Sequence, residues 1–184
     1  MKAVFGVGNP GQEYKLTRHN VGFHVIDKFG TQKRITMKLD KDWLFGEKKS
    51  DGNSYLLIKP LSFVNECGRI AREVIHQFNL SLSDFLVVLD DFSLPLGSTR
   101  LRPQGSSGGH KGLESIIYHL ESELFPRLRI GIGPIAGDSV DFVLSKFKKN
   151  ELQVLDIAIE RAISSIEVFI REGVNKAMEV CNIR

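Results

Sequence analysis

Apolar and polar positions along the chain fall into two alternating kinds of segment. Short apolar runs at Lys2 to Val7, Tyr55 to Lys59 and Phe85 to Leu89 have the length and residue content of buried strands. Arg127 to Ile132 alternates basic and apolar residues before its glycines, which predicts a further strand. Between the runs, apolar residues recur every three or four positions. Val21, Val25, Ile26 and Phe29 predict a helix over Asn20 to Phe29, and Ile70, Val74, Ile75 and Phe78 one over Glu66 to Phe78. Helices are also predicted from Lys111 to Leu120 and from about Asn150 to Glu172, the last with Leu152, Leu155, Ile159, Ile163, Ile166 and Ile170 as its stripe. Strands alternating with helices predict one α/β domain over residues 1–184, a central mixed sheet covered by helices on both faces.

Two glycine-rich segments punctuate this pattern. Gly6-Val7-Gly8-Asn9-Pro10-Gly11 has the G-x-G-x-x-G spacing of a dinucleotide loop and follows a strand. Its context does not match: Asn9-Pro10-Gly11 spells a turn, helical periodicity waits until about Asn20, and no second strand ending in an acid follows at the required distance. Gly105 to Gly112 precedes a helix and is rich in backbone and hydroxyl donors, the composition of an anion-binding nest or of a surface loop. Arg100 and Arg102 lie just upstream on a strand-like stretch whose alternation puts both on one side.

Composition narrows the class. At 184 residues, 42% hydrophobic and 26% charged, with 17 glycines and 6 prolines, the chain buries a substantial core and is neither disordered nor collagenous. No run approaches the ~18 consecutive apolar residues of a membrane helix, and the first residues lack the pattern of a secretory signal, so a cytosolic location is expected. Cys67 and Cys181 are far apart and have no zinc-ligand spacing, so no metal site or disulfide framework is expected. The formal charge is +3. Affinity for phosphate therefore depends on where the cations gather, as at Lys33/Arg34/Lys38/Lys41, Arg100/Arg102/Lys111 and Lys146/Lys148/Lys149, or these clusters are solvated faces.

Candidate chemistry is confined to a few polar residues. His24, His76 and His119 fall in or at the end of helical patterns, whereas His19 closes an irregular polar loop just before a helix, where it acts either as a base at neutral pH or as a cap. Asp90 and Asp91 end a strand, where ligands of open α/β sheets sit. One of them can orient an imidazole; a metal pair is the rival reading, with no neighbour in sequence to complete its ligands. Asn9 and Asn65 can bring amides into the same cleft to hold water or an oxyanion, or serve as turn and cap residues. There is no G-x-S-x-G elbow, and Cys67 has no histidine partner in sequence. Hydrolysis by water of a phosphate-bearing substrate fits this set.

Five motifs in order resemble the bacterial peptidyl-tRNA hydrolase family. They are Gly6 to Gly11 continuing through Tyr14 to Thr17-Arg18-His19-Asn20-Val21-Gly22-Phe23; Lys59 to Asn65 with Gly68; Asp90 to Gly97; Gly108-Gly109-His110-Lys111-Gly112; and Arg127 to Gly133. The resemblance implies an enzyme that cleaves the ester between a peptide and the 3′-terminal ribose of tRNA without a cofactor; with nothing in the sequence pointing to an obligate partner, a monomer is expected. It implies His19 as the base that activates water, Asp90 as its support, and Asn9 and Asn65 as further catalytic residues. Tyr14, Phe63, Val64, Asn65, Gly108, Gly109, His110 and Lys111 are then substrate contacts, and Arg100, Arg102 and Arg129 tRNA-backbone contacts. Two positions depart from the family pattern. Val64 stands where methionine is common, and Lys111 replaces the asparagine of G-G-H-N-G, so water positioning by an amide there is in question. A non-catalytic RNA-binding relative of the same fold is the alternative.

Overall fold

The computed structural model describes residues 1–49, 53–135 and 137–182. Its seven strands are β1 (Lys2–Gly6), β2 (Lys38–Asp40), β3 (Trp43–Lys48), β4 (Tyr55–Pro60), β5 (Phe85–Asp91), β6 (Thr99–Arg102) and β7 (Arg127–Gly131). The helices are α1 (Val21–Gln32), α2 (Cys67–Gln77), α3 (Lys111–Leu120), α4 (Ser139–Leu144), α5 (Lys149–Glu172) and α6 (Val174–Cys181). The strands form one sheet in the order β2-β3-β4-β1-β5-β7-β6, with β4, β1, β5 and β7 parallel and the outer pairings antiparallel. This is the expected mixed sheet. Its central strands read as unbroken apolar runs because helices cover both faces.

The two faces have separate cores. On one, Val21, Val25, Ile26 and Phe29 of α1 and Leu155, Ile159, Ile163 and Ile166 of α5 pack on Val4, Leu57, Leu86 and Leu128. On the other, Ile70 and Val74 of α2 and Leu113 and Ile116 of α3 pack on Phe5, Ile58, Val87 and Leu89. Since α1 follows β1 and α2 follows β4, consecutive crossovers leave toward opposite faces, and the chain reverses direction across the sheet between β1 and β5. That switch opens a crevice at the carboxyl ends of these strands. Gly22 lets the start of α1 press into it: a Cβ there would lie 2.5 Å from the Val7 and Val88 carbonyl oxygens. Gly6 is likewise used for close contact, its would-be Cβ 2.6 Å from the Gly22 oxygen. These glycines seat a helix on the sheet.

Several elements differ from expectation. The β2–β3 hairpin was not predicted, because its strands are short and mostly exposed or half-exposed apart from the buried Trp43 and Gly46. The same holds for α4, which has no buried residue, and for α6, which begins after Gly173 turns the chain with φ +88°. Leu152, expected in the α5 stripe, is 50% exposed: it lines a groove with Leu16, His24 and Phe147 instead of facing the sheet. The Lys33 and Lys41 ammonium groups pair with Glu167 and Glu73, so the first basic cluster is a solvated face. Among the described residues no helix is long and apolar enough to cross a membrane.

Candidate active site

Asp90, at the end of β5, is the centre of the crevice. Its side chain is buried, and Oδ1 meets His19 Nδ1 at 2.8 Å and His110 Nε2 at 3.0 Å. His19 arrives in a 3₁₀ turn, Arg18–Asn20, that leads into α1; His110 is the N-cap residue of α3. One imidazole thus comes from the helix layer on each face, and the two ring centroids are 4.9 Å apart. Asp90 Oδ2 is buried with no partner among the described residues, so the carboxylate's bonding is concentrated on one shared oxygen.

The hydrogen bonds fix where the protons are. His110 Nδ1 accepts the Leu113 N–H at 3.3 Å, so the ring carries its proton on Nε2 and donates it to Asp90. An ionised carboxylate only accepts, so His19 also donates, from Nδ1, and its Nε2 keeps a lone pair. The sequence argument against a metal, that no neighbour completes the ligand set, does not hold in three dimensions: His19, Asp90 and His110 ligand atoms lie within 4.8 Å of one another. The His110 tautomer argues against the metal instead, because a nitrogen that carries a proton has no electron pair to give.

Electrostatics follows the same geometry. Burial pushes the His19 imidazole down, but the charge and acceptor oxygen of Asp90 more than offset it, and the net shift is upward. Burial pushes the Asp90 carboxyl up, yet the positive potential and N–H donors of His19 and His110 hold it well below the usual carboxylate range. The pair therefore favours the ionised carboxylate and stabilises a proton on His19 once it arrives.

Around this centre the predicted residues divide. Asn9 is buried; its Oδ1 accepts the Val64 N–H at 2.9 Å, which ties the β1 loop to the β4 loop, while its amide nitrogen has no protein partner among the described residues. Val64 is buried, and a Cβ on Gly112 would lie 2.8 Å from its Cγ1, so glycine is what lets α3 start this close. Asn65 is exposed, without a hydrogen-bond partner among the described residues. Phe63, 52% exposed, meets Tyr14 edge to face with centroids 6.3 Å apart. The loop from Gly105 to Gly109, which leads into His110, has Gly108 and Gly109 exposed.

The arginines do not all stand as expected. Arg100 and Arg102 are exposed on β6, with Leu101 between them buried. Arg129, expected to face tRNA, is already engaged: it donates to Asp91 Oδ2 at 3.1 Å and to the Ser106 carbonyl at 2.9 Å. Lys111 is exposed and paired with Glu114 at 2.9 Å. Of the other histidines, His24 meets the Lys15 carbonyl, His119 the Ser115 carbonyl, and His76 is exposed. Sequence reasoning missed Arg127, which is buried and gives its donors to the carbonyls of Phe125, Gly105, Ser106 and Glu123. It also missed the anchoring of Arg18 and Asn20. The only signal was their position, two polar residues flanking His19 that turn out to be buried.

A crevice at the switch point of a doubly covered sheet, holding a buried carboxylate between two imidazoles, defines an α/β enzyme with a histidine–carboxylate centre. Comparison with known proteins gives the particular kind. The chain belongs to the peptidyl-tRNA hydrolase family, whose model matches residues 3–184. It is 41% identical over 183 residues to the peptidyl-tRNA hydrolase of Syntrophomonas wolfei subsp. wolfei, covering 99% of this chain and 100% of that one. With the peptidyl-tRNA hydrolase of Thermoanaerobacter sp. it shares 42% over 183 residues, again 99% of this chain and 100% of the other. The crystal structure of peptidyl-tRNA hydrolase from Acinetobacter baumannii superposes with a TM-score of 0.93 at 32% identity, covering 99% of this chain and 94% of that one.

Proposed function

We propose that this chain hydrolyses the ester between a peptide, or an N-blocked amino acid, and the 3′-terminal ribose of tRNA, with His19 as general base. The observation that carries the reading is the 2.8 Å contact of His19 Nδ1 with a buried Asp90 that also holds His110. It leaves His19 Nε2 as the one lone pair of the dyad turned away from the carboxylate. Water gives a proton to Nε2 as its oxygen bonds to the ester carbonyl carbon; the resulting tetrahedral oxyanion collapses, the bond from carbon to ribose oxygen breaks, and the ribose takes the proton back from the imidazolium. Asp90 stabilises that imidazolium. The unpartnered amide nitrogen of Asn9 and the exposed amide of Asn65 are the donors available to the carbonyl or the water. An ester is activated enough that general base catalysis of ~10²–10⁴-fold, with positioning and oxyanion donors, suffices.

Substrate binding is read from the exposed residues around the centre. Tyr14 and Phe63, above the buried Val64, offer apolar contact to the 3′-terminal nucleoside or the peptide, and Gly108 and Gly109 before His110 offer exposed backbone. The β6–β7 register sets Arg100 opposite Arg129 and Arg102 opposite Arg127. Like charges directly across a strand pair are unfavourable, an arrangement suited to a polyanionic ligand. Arg127 and Arg129 bind loop carbonyls, leaving Arg100, Arg102 and Lys111 to meet the acceptor-stem backbone without reading sequence. The test is release of tRNA from N-acetyl-aminoacyl-tRNA. His19→Ala is expected to lower kcat by about 10²–10⁴-fold with tRNA binding retained; undiminished turnover in that variant contradicts the base assignment, and tRNA binding without turnover in the wild type contradicts the hydrolase.

A further inference from the structure

Arg18 precedes His19 and yet is 4% exposed. Its guanidinium lies between the rings of Phe142 and Phe147, 4.8 and 4.7 Å from their centroids. Nη2 donates to Glu151 Oε2 at 2.7 Å, Nη1 to the Ile132 carbonyl at 3.1 Å, and Nε to Ser145 Oγ at 3.2 Å. Its backbone N–H donates to the Ser145 carbonyl, and Thr17 bridges to Lys146. The same Glu151 oxygen accepts the Lys148 N–H at 2.7 Å, so one carboxylate both holds Arg18 and caps α5.

Apart from this grip the segment is held by half-buried packing, with Phe142, Val143 and Phe147 against the core on the α1/α5 face. No residue of α4 is buried, and among the elements α4 packs chiefly against the 3₁₀ turn that carries Arg18 and His19. On the other flank of His19, Asn20 is tied to the Asn9 backbone at both groups, accepting from its N–H at 2.8 Å and donating to its carbonyl at 2.9 Å. His19 is thus suspended between two anchored neighbours, one tied to the loop that follows β1 and the other to a strap formed by residues 138–149 and to Glu151 of α5.

We infer that Arg18 is a positioning residue through which the strap holds the His19 imidazole in register with Asp90. If the strap lifts, Arg18 loses Ser145 and both rings and keeps only Glu151 of α5 and the Ile132 carbonyl, so a cation that stays buried has fewer partners. Seating of the strap and alignment of the imidazole are therefore coupled. Arg18 touches no reacting atom and acts through the turn it anchors.

This inference rests on the proposed role of His19, and the experiment separates the two. Arg18→Met, Arg18→Lys, Glu151→Gln and His19→Ala are assayed together for kcat and KM on N-acetyl-aminoacyl-tRNA, at a temperature where circular dichroism shows each to be folded. A misplaced base costs turnover, so Arg18→Met is expected to lose about 10- to 100-fold in kcat with KM within about twofold. Arg18→Lys keeps the charge but not the planar fork, and is expected to recover part of the loss. Glu151→Gln keeps an acceptor without the charge, and its loss should be smaller than that of Arg18→Met. If Arg18→Met does not fold, the other two carry the test. Wild-type kcat in folded Arg18→Lys and Glu151→Gln, or a loss confined to KM, overturns the coupling. With His19→Ala inactive, that result leaves the base assignment standing; with His19→Ala fully active, the base assignment itself fails.

Discussion

The surroundings of His19 and the exposed cations of β6 and α3 are built to different tolerances. Around His19, polar side chains are held by other protein groups: Asn9 by Val64, Asn20 by Asn9, Arg18 by Glu151, and His19 by Asp90. By contrast, Arg100 and Arg102 are exposed without an acidic partner among the described residues, and Lys111 has only Glu114. A proton transfer needs its atoms placed within tenths of an ångström, whereas a phosphate backbone is attracted by charge over several ångströms. On the proposed function, the fixed surroundings of His19 are expected to govern turnover and the exposed cations affinity.

That division can be broken most forcefully at Asp90. In Asp90→Asn the amide presents a donor as well as an acceptor, the His19 Nδ1–H tautomer is no longer enforced, and kcat is expected to fall by about 10²–10⁴-fold with little change in KM. The residual activity should also shift in pH. Asp90 is what raises the His19 imidazole against the effect of burial, and the base works only when unprotonated. The acid limb of kcat should therefore move to lower pH in the variant; an unmoved limb would separate the two residues.

The exposed cations are expected to respond in affinity alone. Arg100→Gln or Arg102→Gln should raise KM about tenfold at low salt, the equivalent of roughly 1.5 kcal/mol for a charge-assisted hydrogen bond. Each should reduce the slope of log affinity against log salt by about one for every phosphate left without its cation. A fall in kcat at unchanged KM would contradict a purely binding role for these residues. Lys111→Asn restores the residue common in the family and is expected to have the smallest effect. It removes an exposed cation already paired with Glu114, worth about 0.2–1 kcal/mol, so KM should rise by no more than about fivefold and kcat should stay constant. An increase in kcat would mean that an amide at this position handles water.

How much of this was legible in the sequence follows the same division. Apolar runs and 3.6-residue stripes located β1, β4, β5 and β7 with α1, α2, α3 and α5, because those elements bury continuous faces. The β2–β3 hairpin, α4 and α6 bury too little for a pattern to form. His19 and Asp90 stood out by chemistry and by position at element ends. The roles of Arg18, Asn20 and Arg127 could not be read, since each is satisfied by groups that are distant in sequence or by backbone carbonyls, which every residue has. His110 was named as a substrate contact; its place on Asp90 depends on α3 packing against the face opposite α1, which local sequence does not encode.

On the proposed function, the Leu113 N–H and one shared oxygen of Asp90 fix the two imidazole tautomers and leave His19 Nε2 free. Nitrogen-15 NMR of the histidine rings in the unliganded enzyme, at a pH where both are neutral, measures this directly. The account predicts His19 protonated on Nδ1 and His110 on Nε2. A His19 ring carrying its proton on Nε2 would contradict it.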